Sequence, residues 1–147
     1  MRLSVASDPA QTYRLMNYLI EQTYYRPAIL AARQILDLAG MDDAGTFSAP
    51  KYFNHIRFGV YYRDLVLPNA AEHDMSPLYL LSVIRQESLF EPFATSGVGA
   101  QGVMQIMPAT GQEIFVLNNW PNNYDQADLS RPNVSIVYGA QYLARQS

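Results

Sequence analysis

Cysteine is absent from the 147 residues, so neither a disulfide framework nor a thiolate metal site is available to this chain. Histidine is scarce as well: His55 and His73 are the only two, too far apart in sequence to make a local zinc motif, and no metal site is expected. Lysine is almost missing, with Lys51 alone beside nine arginines, and thirteen acidic residues bring the net charge to −3. A chain with no basic footprint is a poor match for a polyanionic strand, so nucleic acid is not expected as a partner. Long apolar runs are missing too. Each is broken by Arg, Asp, Glu or Pro, which leaves no transmembrane segment, and residues 1–11 lack the apolar stretch of a secretory leader. What remains is 49% apolar, enough to bury a core of one domain or a large piece of one.

The apolar positions keep helical spacing. Asp8-Pro9 supplies a cap and a proline at the first helical position, and Leu15, Met16, Leu19, Ile20 and Thr23 then share a face, which predicts a helix to about Tyr25. A second helix opens at Pro27 and runs through Leu30, Arg33, Ile35 and Leu38 to a glycine stop at Gly40. Residues 40–50 read as a loop. Tyr52 to Asp74 is mostly helical by pattern, kinked or divided at Pro68. No stretch sustains period-two alternation, so the expected fold class is all-α.

Ser76-Pro77 begins a sharply marked helix that ends in Gln86-Glu87-Ser88. Leu80, Val83 and Ile84 lie seven, four and three positions before Glu87, which predicts that its carboxyl points at the core side, loses hydration and has a raised pKa, as a general acid requires. Helix geometry alone leaves two other readings open: a glutamate bent out to solvent near a helix end, or one paired with Arg85. The loop Ser96-Gly97-Val98-Gly99-Ala100-Gln101-Gly102 follows, then Val103-Met104-Gln105-Ile106-Met107 and Pro108 opening another helix. Gln105 is a polar amide among apolar neighbours, placed for a bond; it reads otherwise as solvated, and the methionines read as core. Gly97, Gly99 and Gly102 also spell the dinucleotide fingerprint G-x-G-x-x-G, but a helix and not a strand leads into them and no βαβ pattern surrounds them, so that reading is rejected.

Taken together, Gln86-Glu87-Ser88 and Ser96-x-x-Gly99-Ala100-x-Gly102-Val103-Met104-Gln105-Ile106-Met107-Pro108-Ala109-Thr110-Gly111 resemble the catalytic domain of the soluble lytic transglycosylases. The resemblance spans roughly Asp74 to Gln146. It implies a goose-type lysozyme-like helical domain over residues 74–147, incomplete, and a helical segment over residues 1–73 similar to the end of an α-superhelical domain.

It further implies cleavage of the β-1,4 bond between N-acetylmuramic acid and N-acetylglucosamine in peptidoglycan, a lyase reaction that leaves a 1,6-anhydro ring and needs no metal or organic cofactor. Glu87 matches the family's sole catalytic carboxylate; Ser96 and Gln105 would bond sugar substituents, Met107 would line the cleft, and Gly102 would let the backbone approach substrate. Glu91, Glu113, Asp125 and Asp128 are near in sequence but lie on no recognisable motif. Trp120 and Tyr124 could stack on sugars but read better as packing anchors. An extracytoplasmic location follows from the same resemblance.

Two departures stand out. Ser135 occupies the place of a usual Asn in Pro132-Asn-Val-Ser135-Ile136, and the chain stops at Ser147, before the family's Ala-Tyr-Asn-Ala-Gly element. The expectation is therefore an open wall of the cleft, weak or no activity for these residues alone, and apolar faces at Ile136, Gly139, Ala140 and Leu143 that favour self-association. The alternative from another class is a non-catalytic peptidoglycan-binding or scaffold module.

Overall fold

The computed structural model describes residues 7–41 and 44–146. Residues 1–6, part of the stretch searched for a leader, lie outside these, as do Asp42 and Asp43 of the loop expected over residues 40–50. The chain forms two compact units, Met1–Gly59 and Val60–Ser147.

In the first unit, α1 (Pro9–Glu21) is capped by Asp8, whose carboxylate accepts the N–H groups of Ala10 at 2.9 Å and Gln11 at 3.1 Å. It stops short of Tyr25 because Thr23 turns left-handed at φ 61°. The next helix, α2 (Tyr25–Leu38), starts two residues before Pro27, which sits in the first turn where its missing N–H costs no helix bond. Gly40 ends it at φ +70°, with the Met41 N–H closing back on the Leu36 carbonyl at 3.0 Å. Ala28, Ala31 and Ala32 form a small-residue stripe that packs with Met16 of α1 and Ile56 of α3 (Lys51–Arg57). Within the expected loop, Gly45–Ser48 forms a 3-10 turn.

The predicted division at Pro68 occurs elsewhere. α3 ends at Arg57 and α4 (Arg63–Glu72) begins after Tyr62, which is left-handed at φ 54°, while Pro68 rides inside α4. Next to that proline, the Asn69 side chain donates to the Leu65 carbonyl at 2.8 Å.

In the second unit, α4 packs on α5 (Pro77–Ser88) and on α7 (Pro132–Gln146), and a 3-10 helix, Gln126–Ser130, packs on α6 (Pro108–Asn118) and α7. The contact-defined division thus falls at Gly59, while the sequence-based boundary lay after His73; α4 groups with the helices that follow it. Leu80, Ile84, Val103, Leu129, Ile136, Tyr138 and Ala140 are fully buried here. Among the described residues the architecture is all-α, as expected, with only two isolated antiparallel bridges, Thr95 to Gln101 and Gln101 to Ile106.

The expected apolar exposure on α7 is corrected by this packing. Ile136 and Ala140 are buried, Gly139 lies against the Met104 side chain, and Leu143 is half-buried.

Candidate active site

Along α5, Leu80, Ile84 and Ser88 recur every fourth residue, and all three are buried. Val83 and Glu87 form the adjoining stripe, about 100° round the helix; Val83 is half-buried and Glu87 exposed. The expectation that Glu87 points at the core side is corrected here, because the four-residue partner of Ile84 is Ser88, which takes the core position. Glu87 instead lines a groove of about 210 Å³.

Three elements build that groove. α5 contributes Val83 and Glu87; the segment from Met104 to Met107 continues into Thr110 on α6; and α7 adds Gly139, Tyr142 and Leu143, spaced i, i+3, i+4 on one face. Among the described residues that line it, Glu87 is the only carboxylate. Of the other nearby acids, Glu91 accepts the Phe93 N–H at 3.4 Å, and Asp128 holds the Asp125 N–H and the Arg131 guanidinium, each at 3.0 Å. Glu113 is exposed on α6, and Asp125 lines a separate, shallower concavity.

Gln105 is half-buried in the groove wall with backbone φ 48°, a left-handed conformation that costs a residue with a Cβ about 1–2 kcal/mol. Its amide NH₂ donates to the Ala94 carbonyl at 3.0 Å and the Gly102 carbonyl at 2.9 Å, which commits the nitrogen to the fold and leaves the amide oxygen as the acceptor for a ligand. Met107 caps α6 and lines the groove with an exposed side chain.

Ser96 and Gly102 stand apart from the groove lining. The Ser96 hydroxyl accepts the Ala100 N–H at 3.0 Å, while its own N–H donates to the Ala100 carbonyl at 2.9 Å, so it closes the glycine loop on itself. Gly102 was expected to give substrate room; its free side is instead occupied, since a Cβ there would lie 1.9 Å from the Leu129 carbonyl oxygen. Trp120 and Tyr124 serve packing: Trp120 meets the Tyr138 ring edge-on at 6.3 Å, and Tyr124 stacks on Phe115 at 5.1 Å. The Tyr138 hydroxyl donates to the Trp120 carbonyl at 2.5 Å, and burial pushes its pKa up to about 12.

Residues 64–147 match the Transglycosylase SLT domain family. The chain belongs to that family. The soluble lytic murein transglycosylase of Salmonella typhimurium is 35% identical to this SLT chain over 97 residues, which are 65% of the chain and 15% of the relative. Among solved structures, the 70 kDa soluble lytic transglycosylase SLT70 of Escherichia coli is 25% identical with a TM-score of 0.71, over 93% of this chain and 20% of that one. An inactive Glu-to-Gln mutant of the lytic transglycosylase Slt of Pseudomonas aeruginosa is 28% identical with a TM-score of 0.72, over 94% and 20%. The lysozyme-like helical fold is thus shared, while the SLT chain spans only about a fifth or less of its relatives' length.

Sequence reasoning brought Glu87, Gln105 and Met107 to one groove but did not assign Val83, Thr110, Gly139, Tyr142 and Leu143 to it. The i, i+4 step from Val83 to Glu87 and the i, i+3, i+4 set on α7 were visible in the sequence. Their shared orientation was not.

Proposed function

We propose that the SLT groove cleaves the β-1,4 bond between N-acetylmuramic acid and N-acetylglucosamine in peptidoglycan, with Glu87 serving first as acid and then as base. The observation that carries this reading is that Glu87, the match to the family's Glu-Ser pair, is the single carboxylate in the groove lining among the described residues. A two-carboxylate glycosidase needs its second acid about 5–9.5 Å from the first, and none of the lining residues supplies one.

Glu87 donates its proton to the glycosidic oxygen as the bond to C1 breaks. The carboxylate left behind takes the proton of the muramic acid 6-hydroxyl as O6 bonds C1. A 1,6-anhydro ring forms, water is not consumed, and Glu87 regains its starting state. A glycan seated in the groove covers the exposed carboxyl and excludes water from it. Gln105 and Met107 contact the sugar, Gln105 through its free amide oxygen; Ser96 and Gly102 act on substrate through the shape of the loop.

By the same reading the protein works in the periplasm or cell envelope, and residues 1–73 are the closing part of an α-superhelical region. Mass spectrometry of muropeptides released by the full-length protein tests the assignment. Glu87→Gln should cut anhydro-muropeptide output by about 10²–10⁴-fold, the range lost with a general acid. Output at the wild-type level would sink the catalytic reading and favour a glycan-binding scaffold.

A further inference from the structure

The peptide group joining Val103 to Met104 is held from both sides by buried serines. Its carbonyl accepts from the Ser88 hydroxyl of α5 at 2.9 Å, and its N–H donates to the Ser135 hydroxyl of α7 at 3.1 Å. Ser135 is completely buried and Ser88 nearly so. Ser88 is the residue after Glu87, and the clamped peptide leads directly into Met104, Gln105 and Met107 of the groove wall. One planar unit therefore ties the helix that carries the carboxylate to the wall facing it and to the helix on the far side.

Its neighbours leave it little freedom. A Cβ at Gly102 would meet Ser135 Oγ at 2.7 Å, and one at Gly139 would meet the Met104 side chain at 2.5 Å. Losing either hydroxyl would strand a buried peptide dipole and let this segment shift. A displacement of about 1 Å between reacting groups is enough to lower turnover up to 10²-fold.

We propose that Ser88 and Ser135 are positioning residues, a paired clamp on the Val103–Met104 peptide that fixes Glu87 relative to Gln105 and Met107, in a role that rests on the glycan-cleavage reading. Ser135, which departs from the family's usual Asn, thereby has a function of its own in this chain.

The test uses the full-length protein on soluble glycan strands, with NMR of the same variants. Ser88→Ala and Ser135→Ala should each lower kcat roughly tenfold with KM changed by less than about twofold. The double variant should lose no more than the worse single, because either loss frees the same peptide. In the folded proteins, Ser135→Ala should move the Met104 amide proton upfield, and Ser88→Ala should move the Val103 carbonyl carbon. Should an alanine variant fail to fold, the cysteine variant, close in size and only a weak acceptor, carries the same readouts. Unmoved resonances, or losses in kcat that multiply in the double variant, overturn the clamp. The two failures separate: a failed clamp leaves Glu87→Gln inactive, whereas an active Glu87→Gln overturns the cleavage reading and the positioning role together.

Discussion

At Gly102 one added methyl group would lie 1.9 Å from the Leu129 carbonyl oxygen, at a backbone φ of +78°. Both the contact and the left-handed backbone oppose any side chain there, and together they should make Gly102→Ala cost about 3 kcal/mol. Gly97 sits five residues earlier in the same loop with open space around it, so Gly97→Ala should stay within about 0.5 kcal/mol of wild type in denaturant unfolding. Equal stabilities for the two variants would refute this account. Three glycines in seven residues announced that something needed room, but the spacing could not say what fills it. For Gly102 the occupant is Leu129, twenty-seven positions away in sequence, and no local pattern reports such a contact. Glu87 carries a related lesson, since its helical face was legible to within one residue and that single residue moved it from the core to the groove.

Among the elements, the helix starts at Pro9, Pro77 and Pro108 were well marked, because each proline has φ already set and no N–H to lose. The break before α4 was not, since an aromatic residue, Tyr62, takes the left-handed turn; its ring packs against Phe90 with centroids 6.4 Å apart, and its hydroxyl donates to the Phe90 carbonyl at 3.4 Å. The 3-10 helix Gln126–Ser130 escaped notice for its length, yet it supplies the Leu129 carbonyl beside Gly102. Its start is held by a reciprocal cap: Asp125 accepts the Ala127 N–H at 2.8 Å, and Asp128 accepts the Asp125 N–H at 3.0 Å. That backbone N–H, aided by Arg131, holds the Asp128 carboxyl below its usual value of 3.8, against the opposing loss of hydration. A carboxyl with a depressed folded-state pKa contributes stability above its unfolded value and loses it as pH falls through the folded value. The melting-temperature gap between wild type and Asp128→Asn should therefore be full above pH 3.8 and close as the medium becomes more acid. A gap that persisted undiminished near pH 2 would contradict the cap as its source.

At the scale of the molecule, the aromatic cluster of the Val60–Ser147 unit makes stability sensitive to alkaline pH. Tyr138 is buried with its pKa pushed up to about 12 by burial first, then by Tyr124 and Asp128. A raised folded-state pKa means that its contribution is intact below the unfolded value of 10 and disappears as pH climbs through about 12. Thermal melts across that window should show wild type losing stability faster than Tyr138→Phe, which has no proton to release there; parallel curves would rule this out.

The sequence by itself determined the all-α class, the helix starts marked by proline and the SLT resemblance, because capping, helical periodicity and a motif are local properties of consecutive residues. Only the tertiary structure decided that Glu87 faces a groove, that α7 walls it, that Gly102 yields its space to Leu129, and that two serines grip one peptide. Each of these joins residues separated by a turn or by a whole helix, and such distances are fixed by packing alone.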